Sequence, residues 1–155
     1  MAVKSNTRAE AGLVAPSLTL RRRLNAAPEK IYAAWTDPEK IVRWFGPAQV
    51  KAGTEQASID ARVGGRYRVS FDMENGEHCE IGGVYREMVP NRLLVFSWAW
   101  HTTPERQSQV KVSLQPDGDG TLLTLQHEAF FDEAARDRHQ RGWSGALDKL
   151  EKFVG

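Results

Sequence analysis

The sequence contains a single cysteine, Cys79, and almost no excess charge, with 21 Lys and Arg residues against 20 Asp and Glu residues. One cysteine excludes an intramolecular disulfide and a zinc finger built on cysteines. Because the formal net charge is only +1, no long-range field draws the chain to nucleic acid, and we expect no nucleic-acid partner. No apolar run approaches the ~18 residues that a membrane span requires, so we expect no membrane span.

The remaining composition is that of a globular protein. Hydrophobic residues make up 41% and charged residues 26% of the 155 residues, and this length suits one domain. Residues 1–15 are small and polar and lack the apolar stretch of a signal peptide. We therefore predict a flexible N-terminal tail over 1–15, a single domain over 16–155 and a cytoplasmic location, with which the lone cysteine agrees.

Hydrophobic periodicity predicts one strand and two short helices at the start of the domain. Leucines alternate with polar residues in LTLRRRL (18–24), which is the pattern of a half-buried strand. Pro28 and Pro38 each suit the first turn of a helix, and Asp37 can cap the second helix.

The rest of the chain predicts six strands and a long helix. Between residues 48 and 130, turn signals separate short strands, which we expect to pair in sequence order as an antiparallel meander. Asn75-Gly76 predicts a hairpin in which both turn residues need positive φ. The last helix is predicted over 132–154, where apolar residues follow the spacing i, i+3, i+4, i+7, i+11: Trp143, Ala146, Leu147, Leu150 and Val154.

The widths of these elements predict a cavity. A helix is about 10–12 Å across, whereas seven strands at about 4.8 Å spacing make a far wider sheet. One helix can cover that apolar face only if the sheet bends around it, and bending leaves space between sheet and helix. The alternative is a fully packed core, because the six Phe, five Trp and three Tyr residues are bulky enough to fill it.

Five motifs in a fixed order resemble one known family. They are PEKIYAAWTDPEKIVRWFGP (28–47), DARVGGRYRV (60–69), GGVYREMVPNRLLVFSWAW (82–100), GTLLTLQHEAF (120–130) and GWSGALDKLEKFV (142–154). The order of elements resembles the START-like, or SRPBCC, superfamily, and the motifs look like its Aha-type branch, named after an activator of the heat-shock chaperone ATPase. The resemblance covers about residues 16–154.

This resemblance implies an α+β helix-grip fold with an internal cavity. A curved seven-stranded antiparallel sheet would wrap around the long C-terminal helix, with two short helices between strands 1 and 2. Relatives in the superfamily include lipid carriers, plant-hormone binders, polyketide cyclases and aromatases, and co-chaperone domains, and a fold does not determine a function. The resemblance supplies no catalytic residue set.

Strand alternation and the expected fold select residues for the wall of the cavity. They are mainly apolar or aromatic, and most share the inward face of a strand or of the last helix. The predicted cavity residues are Trp44, Tyr67, Val69, Phe71, Ile81, Tyr85, Phe96, Trp98, Val112, Leu114, Leu125, His127, Trp143 and Leu147.

Two histidines are weak candidates for catalysis. His127 shares a stripe with Leu123 and Leu125, and His139 lies four residues before Trp143 on the last helix. Two imidazoles over one cavity could act as acid and base. The alternative is that each histidine makes structural hydrogen bonds.

The remaining motifs predict neither a metal nor a cofactor. His78, Cys79 and Glu80 alternate across a strand, so they cannot all face one ion, and we expect no metal site. Gly64-Gly65 is not followed by the GK[ST] sequence of a phosphate loop, so we expect no cofactor.

We therefore expect a domain that binds a small hydrophobic or aromatic molecule. One alternative is a cyclase-like or aromatase-like enzyme in which His127 moves a proton. Another is a regulator of a chaperone ATPase that acts through its surface, with the chaperone as partner. A homodimer is left open.

Overall fold

The computed structural model describes residues 15–155. The predicted tail, apart from Ala15, lies outside the described residues. In chain order the elements are β1 (Leu18–Leu24), α1 (Pro28–Thr36), α2 (Pro38–Ile41), β2 (Gln56–Ile59), β3 (Arg66–Asp72), β4 (His78–Val89), β5 (Leu93–Trp100), β6 (Ser108–Asp117), β7 (Gly120–Glu128) and α3 (Glu133–Val154).

The seven strands form one antiparallel sheet in the order β1-β7-β6-β5-β4-β3-β2. Strands β2 to β7 pair in sequence order, and β1 joins β7 with Leu18 opposite His127. The curved sheet wraps around α3, with the two short helices between β1 and β2. The predicted α+β helix-grip fold is confirmed.

Strand β4 contains two features that bend it. Its pairing with β5 shifts by one residue between Tyr85 and Glu87, which is a β-bulge. Just before the bulge, a Cβ on Gly83 would lie 2.0 Å from the carbonyl oxygen of Ser97, so no larger residue fits this close strand contact. The bulge and the glycine together increase the bend of the sheet around α3.

The hairpin between β3 and β4 forms as predicted, but its turn differs from the prediction. Gly76 has φ +93° and Asn75 does not have positive φ. The amide of Gly76 donates to the carbonyl of Met73 at 2.8 Å, and the amide of Met73 donates to that of Glu77 at 2.8 Å. A turn of this kind places only one residue in the left-handed region, and Gly76 occupies it.

Aspartates cap the second and third helices. The Asp37 carboxylate accepts from the amide of Glu39 at 2.9 Å, and that of Asp132 accepts from the amide of Ala135 at 2.8 Å. Helix α3 buries the predicted apolar stripe and also Ala135. Among the described residues, none of the helices combines the length and apolar character that crossing a membrane would need.

Aromatic rings from four parts of the chain fill the middle of the domain. The ring centroids of Trp35 and Trp44 lie 4.7 Å apart, and those of Trp35 and Trp143 lie 5.8 Å apart. Phe45 and Trp98 extend the cluster, at 5.8 Å and 5.1 Å from Trp143. These offset and edge contacts leave the centre of the domain packed, so any cavity must lie to one side of it.

Candidate functional site

A pocket of about 690 Å³ lies beside the aromatic cluster, between the first half of α3 and strands β3 to β5. The segment 45–49 after α2, the segment 101–106 between β5 and β6, and Ser108 at the start of β6 border it. Its volume falls within the roughly 300–1,000 Å³ of ligand pockets. Seven Phe and Trp side chains line it: Phe45, Phe71, Trp98, Trp100, Phe130, Phe131 and Trp143.

Trp98 and Trp143 form the wall of the pocket that borders the packed core, and we call this wall the floor. Trp98 and Trp143 are only 5% and 3% exposed, and their rings contact each other and Phe45. Trp100 stands perpendicular to Trp98, with ring centroids 5.9 Å apart. Because these rings are held on several sides, the floor is preorganised for a flat apolar group.

Helix α3 fixes the segment 45–49 that forms one wall. Lys149 Nζ donates to the carbonyl of Pro47 at 3.1 Å and reaches that of Phe45 at 3.4 Å. Gly145 allows close approach, since a Cβ there would lie 2.9 Å from the amide nitrogen of Ala48. One turn earlier, Gly142 lines the pocket, and a Cβ there would meet only Pro47 Cβ, at 4.0 Å.

His139 lines the pocket as an acceptor for two indoles. Its Nε2 accepts from Trp100 Nε1 at 2.9 Å and from Trp98 Nε1 at 3.3 Å. An indole N–H can only donate, so Nε2 carries the lone pair and Nδ1 donates its proton to the Ala135 carbonyl at 2.7 Å. Burial lowers the pKa of His139 below its ordinary value, which keeps the ring neutral.

His127 lies behind the floor, with no exposed surface. Its Nδ1 accepts from Trp143 Nε1 at 3.0 Å, so its Nε2 donates to Ser108 Oγ at 2.7 Å. Ser108 Oγ in turn donates to the Trp98 carbonyl at 3.3 Å. Burial, with a smaller contribution from His139, lowers the pKa of His127 to about 2.

The two histidines therefore form one network with three tryptophans. The ring centroids of the two histidines are 5.2 Å apart. The sequence predicted both over one cavity, but only His139 lines the pocket. Each ring nitrogen already has a hydrogen-bond partner, however, and taking up a proton would break an indole bond. This arrangement favours the alternative in which the two histidines make structural hydrogen bonds, rather than acid–base catalysis.

The metal-capable residues of β4 do not converge. His78, Cys79 and Glu80 all line the pocket, but His78 Nδ1 pairs with Asp72 at 2.7 Å and Glu80 pairs with Arg68 at 3.4 Å. Burial and the nearby carboxylates of Glu77 and Asp72 raise the pKa of the Cys79 thiol, so the thiol is a weak nucleophile. Over residues 15–155, no group of three or more His, Cys, Asp or Glu side chains could hold a metal ion.

Four of the fourteen predicted cavity residues line this pocket: Phe71, Ile81, Trp98 and Trp143. The other ten belong to the packed interior instead. They are Trp44, Tyr67, Val69, Tyr85, Phe96, Val112, Leu114, Leu125, His127 and Leu147.

These ten face inward as alternation predicted, but other core side chains cover them. Tyr67, for example, donates its hydroxyl to the Ser97 carbonyl at 2.7 Å and packs against Phe96 and Tyr85. Leu114 borders a separate depression of about 490 Å³, beside Val89 and Pro116.

Sequence reasoning missed the parts of the pocket that lie in loops. Segments 45–49 and 101–106 have no strand alternation that would assign a face to their side chains. Phe130, just after β7, was missed for the same reason. One sequence signal for this part of the pocket was available, namely Gly142 within a predicted helix. Glycine destabilises a helix interior, so a glycine there indicates that the absence of a side chain has a packing or functional reason.

The curved sheet closed around α3, with an aromatic pocket open beside the helix, defines a START-like domain of the helix-grip fold. The family described as activator of Hsp90 ATPase homolog 1-like protein matches residues 25–155. The chain belongs to this family, which confirms the predicted Aha-type resemblance. No curated protein matches the chain.

Solved structures similar to the chain come from several bacteria. Protein CV1439 from Chromobacterium violaceum is 26% identical, with a TM-score of 0.77, and the match covers 90% of this chain and 97% of that one. The AHSA1 (SPO3351) protein from Silicibacter pomeroyi is 26% identical, with a TM-score of 0.73 and coverages of 88% and 96%. CalU16 from Micromonospora echinospora is 29% identical, with a TM-score of 0.65 and coverages of 91% and 77%.

Proposed function

We propose that this domain binds a small, largely aromatic molecule in the pocket beside α3. The observation that carries the proposal is the combination of a volume of about 690 Å³ with seven Phe and Trp side chains on its walls. Aromatic walls supply apolar area and offset stacking to a flat ligand. A floor held by its own packing loses little conformational entropy when the ligand binds.

The network behind the floor supports binding rather than turnover. Proton transfer by His127 would need a free ring nitrogen that faces the ligand. Both nitrogens of His127 are bonded, to Trp143 and to Ser108, and its ring does not line the pocket. A role as the support that orients Trp98 and Trp143 agrees better with these contacts.

The test uses Gly142, because a side chain there enters the pocket without striking the backbone. Gly142→Leu should fill part of the pocket, whereas Gly142→Ala adds one methyl group and serves as the matched control. The probe is N-phenylnaphthylamine, a neutral dye whose fluorescence rises in an apolar site.

We expect the natural protein and Gly142→Ala to bind the dye, and Gly142→Leu to bind it about tenfold or more weakly, which corresponds to about 1.4 kcal/mol. A saturating dye should also raise the melting temperature of the first two proteins only, because a ligand that binds only the folded state stabilises it. Equal binding by all three proteins would place the dye outside the pocket and contradict the proposal.

A further inference from the structure

Three arginines lie along one side of the pocket opening, which we call its mouth. Arg138 and Arg141 lie almost one turn apart on α3, and Arg106 lies on the segment between β5 and β6. All three are exposed and all three line the pocket. A neutral apolar ligand would use none of these charges.

The guanidinium groups are largely free to bind a ligand. Within residues 15–155, no carboxylate lies within 4.0 Å of a side-chain nitrogen of Arg138 or Arg141, and Arg106 approaches only its neighbour Glu105, at 4.0 Å. Arg106 also lies over the ring of Phe131, 3.8 Å from its centroid. Phe131 is 63% exposed, so this contact holds the Arg106 guanidinium at the rim without neutralising it.

The acidic groups of the pocket lie on the opposite side, on β4 and the turn before it. Glu77 and Glu80 line this side. Glu80 pairs with Arg68 at 3.4 Å, and His78 pairs with Asp72 at 2.7 Å. The charge around the pocket opening is therefore polarised. The unpaired arginine charges lie on α3 and on the segment between β5 and β6.

We propose that the ligand of this pocket is an amphipathic anion, an aromatic body that carries one carboxylate or a similar oxyanion, and this inference rests on the proposed function. The aromatic body lies on Trp98 and Trp143, and the anionic group meets Arg138, Arg141 and Arg106 at the rim. The planar guanidinium group matches two oxygens of an oxyanion at once, which favours such a group over a neutral polar one.

The test compares two dyes that share one aromatic skeleton. Anilinonaphthalene sulfonate carries a sulfonate, and N-phenylnaphthylamine is the same molecule without it. The two dyes are titrated into the natural protein, into Arg138→Gln/Arg141→Gln, and into Arg21→Gln/Arg86→Gln. The last variant loses the same charge at two exposed arginines that do not line the pocket.

We expect the natural protein to bind the sulfonate dye more tightly than the neutral dye, with an advantage that high salt removes. Arg138→Gln/Arg141→Gln should weaken the sulfonate dye about fivefold, since one exposed ion pair supplies a factor of about 1.4 to 5. The same variant should leave the affinity for the neutral dye unchanged, which also shows that the pocket is intact. Arg21→Gln/Arg86→Gln should bind both dyes like the natural protein.

Two results would overturn the inference, and they differ in what they say about the proposed function. If the natural protein binds both dyes equally and the rim variant changes neither affinity, the ligand is not selected for charge, although the pocket still binds aromatic molecules. If neither dye binds, or Gly142→Leu binds the sulfonate dye as well as the natural protein does, the proposed function fails together with the inference.

Discussion

At the scale of the residue, two glycines three positions apart on α3 have different roles. Gly145 lets the helix contact segment 45–49, where a Cβ would lie 2.9 Å from the Ala48 amide nitrogen. Gly142 faces the open pocket, where the nearest atom to its Cβ would be 4.0 Å away. Both glycines fall within the helix predicted over 132–154, and only the neighbouring loop distinguishes them.

These two positions predict opposite effects of the same substitution. Gly142→Ala should raise the free energy of unfolding by about 0.5–1 kcal/mol, because alanine is the better helix former and no contact opposes it. Gly145→Ala should lower it by about 1–3 kcal/mol, because the methyl group must displace the wall of the pocket. Urea unfolding of both variants measures the difference, and an equal gain at both positions would contradict the close contact at Gly145.

Strand alternation predicted that His127 faces inward, but it did not predict the hydrogen-bond partners of His127. The stripe with Leu123 and Leu125 correctly predicted burial, since His127 has no exposed surface. The Trp143 donor comes from α3 and the Ser108 acceptor from β6. Such partners depend on how elements pack, and alternation along a single strand carries no information about them.

At the scale of the element, helix α3 is the best predicted part of the chain. Its predicted range, 132–154, differs from the observed one only in that Asp132 is the N-cap. A cap and a long apolar stripe are local signals. The turn at 73–77 shows the limit of local signals, since Asn-Gly predicts a hairpin but allows more than one turn geometry.

The N-cap of α3 gives a prediction at this scale. Asp132→Ala removes the acceptor for the Ala135 amide, which lies 2.8 Å from the carboxylate, and should lower the free energy of unfolding by about 1 kcal/mol. Gln140→Ala, at an exposed position within the same helix, is the control and should change stability little. Thermal unfolding of both variants provides the measurement, and an equal effect would show that the cap contributes nothing.

At the scale of the whole molecule, the two buried histidines link folding to pH. The fold lowers the pKa of His127 to about 2 and also lowers that of His139, whereas a histidine in the unfolded chain titrates near 6.5. Below about pH 6.5 the unfolded chain therefore binds more protons than the folded domain. The contribution of these two histidines to stability therefore falls as the pH decreases through this value.

Lowering the pH from about 7.5 to about 5.5 should remove up to about 1.4 kcal/mol of stability for each histidine that stays neutral in the fold. Urea midpoints at the two pH values measure this loss. In His127→Gln, whose amide does not titrate, the loss should be smaller by up to about 1.4 kcal/mol, even though the variant is less stable at both values. A pH dependence that is the same in His127→Gln and the natural protein would contradict the neutral, buried state of His127.

The amino-acid sequence by itself determined the order of the elements, the inward face of most strands, the long final helix and the family. These follow from periodicity, caps and turns, which act over a few residues. Only the tertiary structure decided where the interior is filled and where it is open. Trp35 packs against Trp44 and also contacts Phe96 and Trp143 from distant parts of the chain, and these contacts close the centre. The space remains beside α3, where Gly142 has no side chain to fill it and where the segment 45–49 and the segment between β5 and β6 border the pocket.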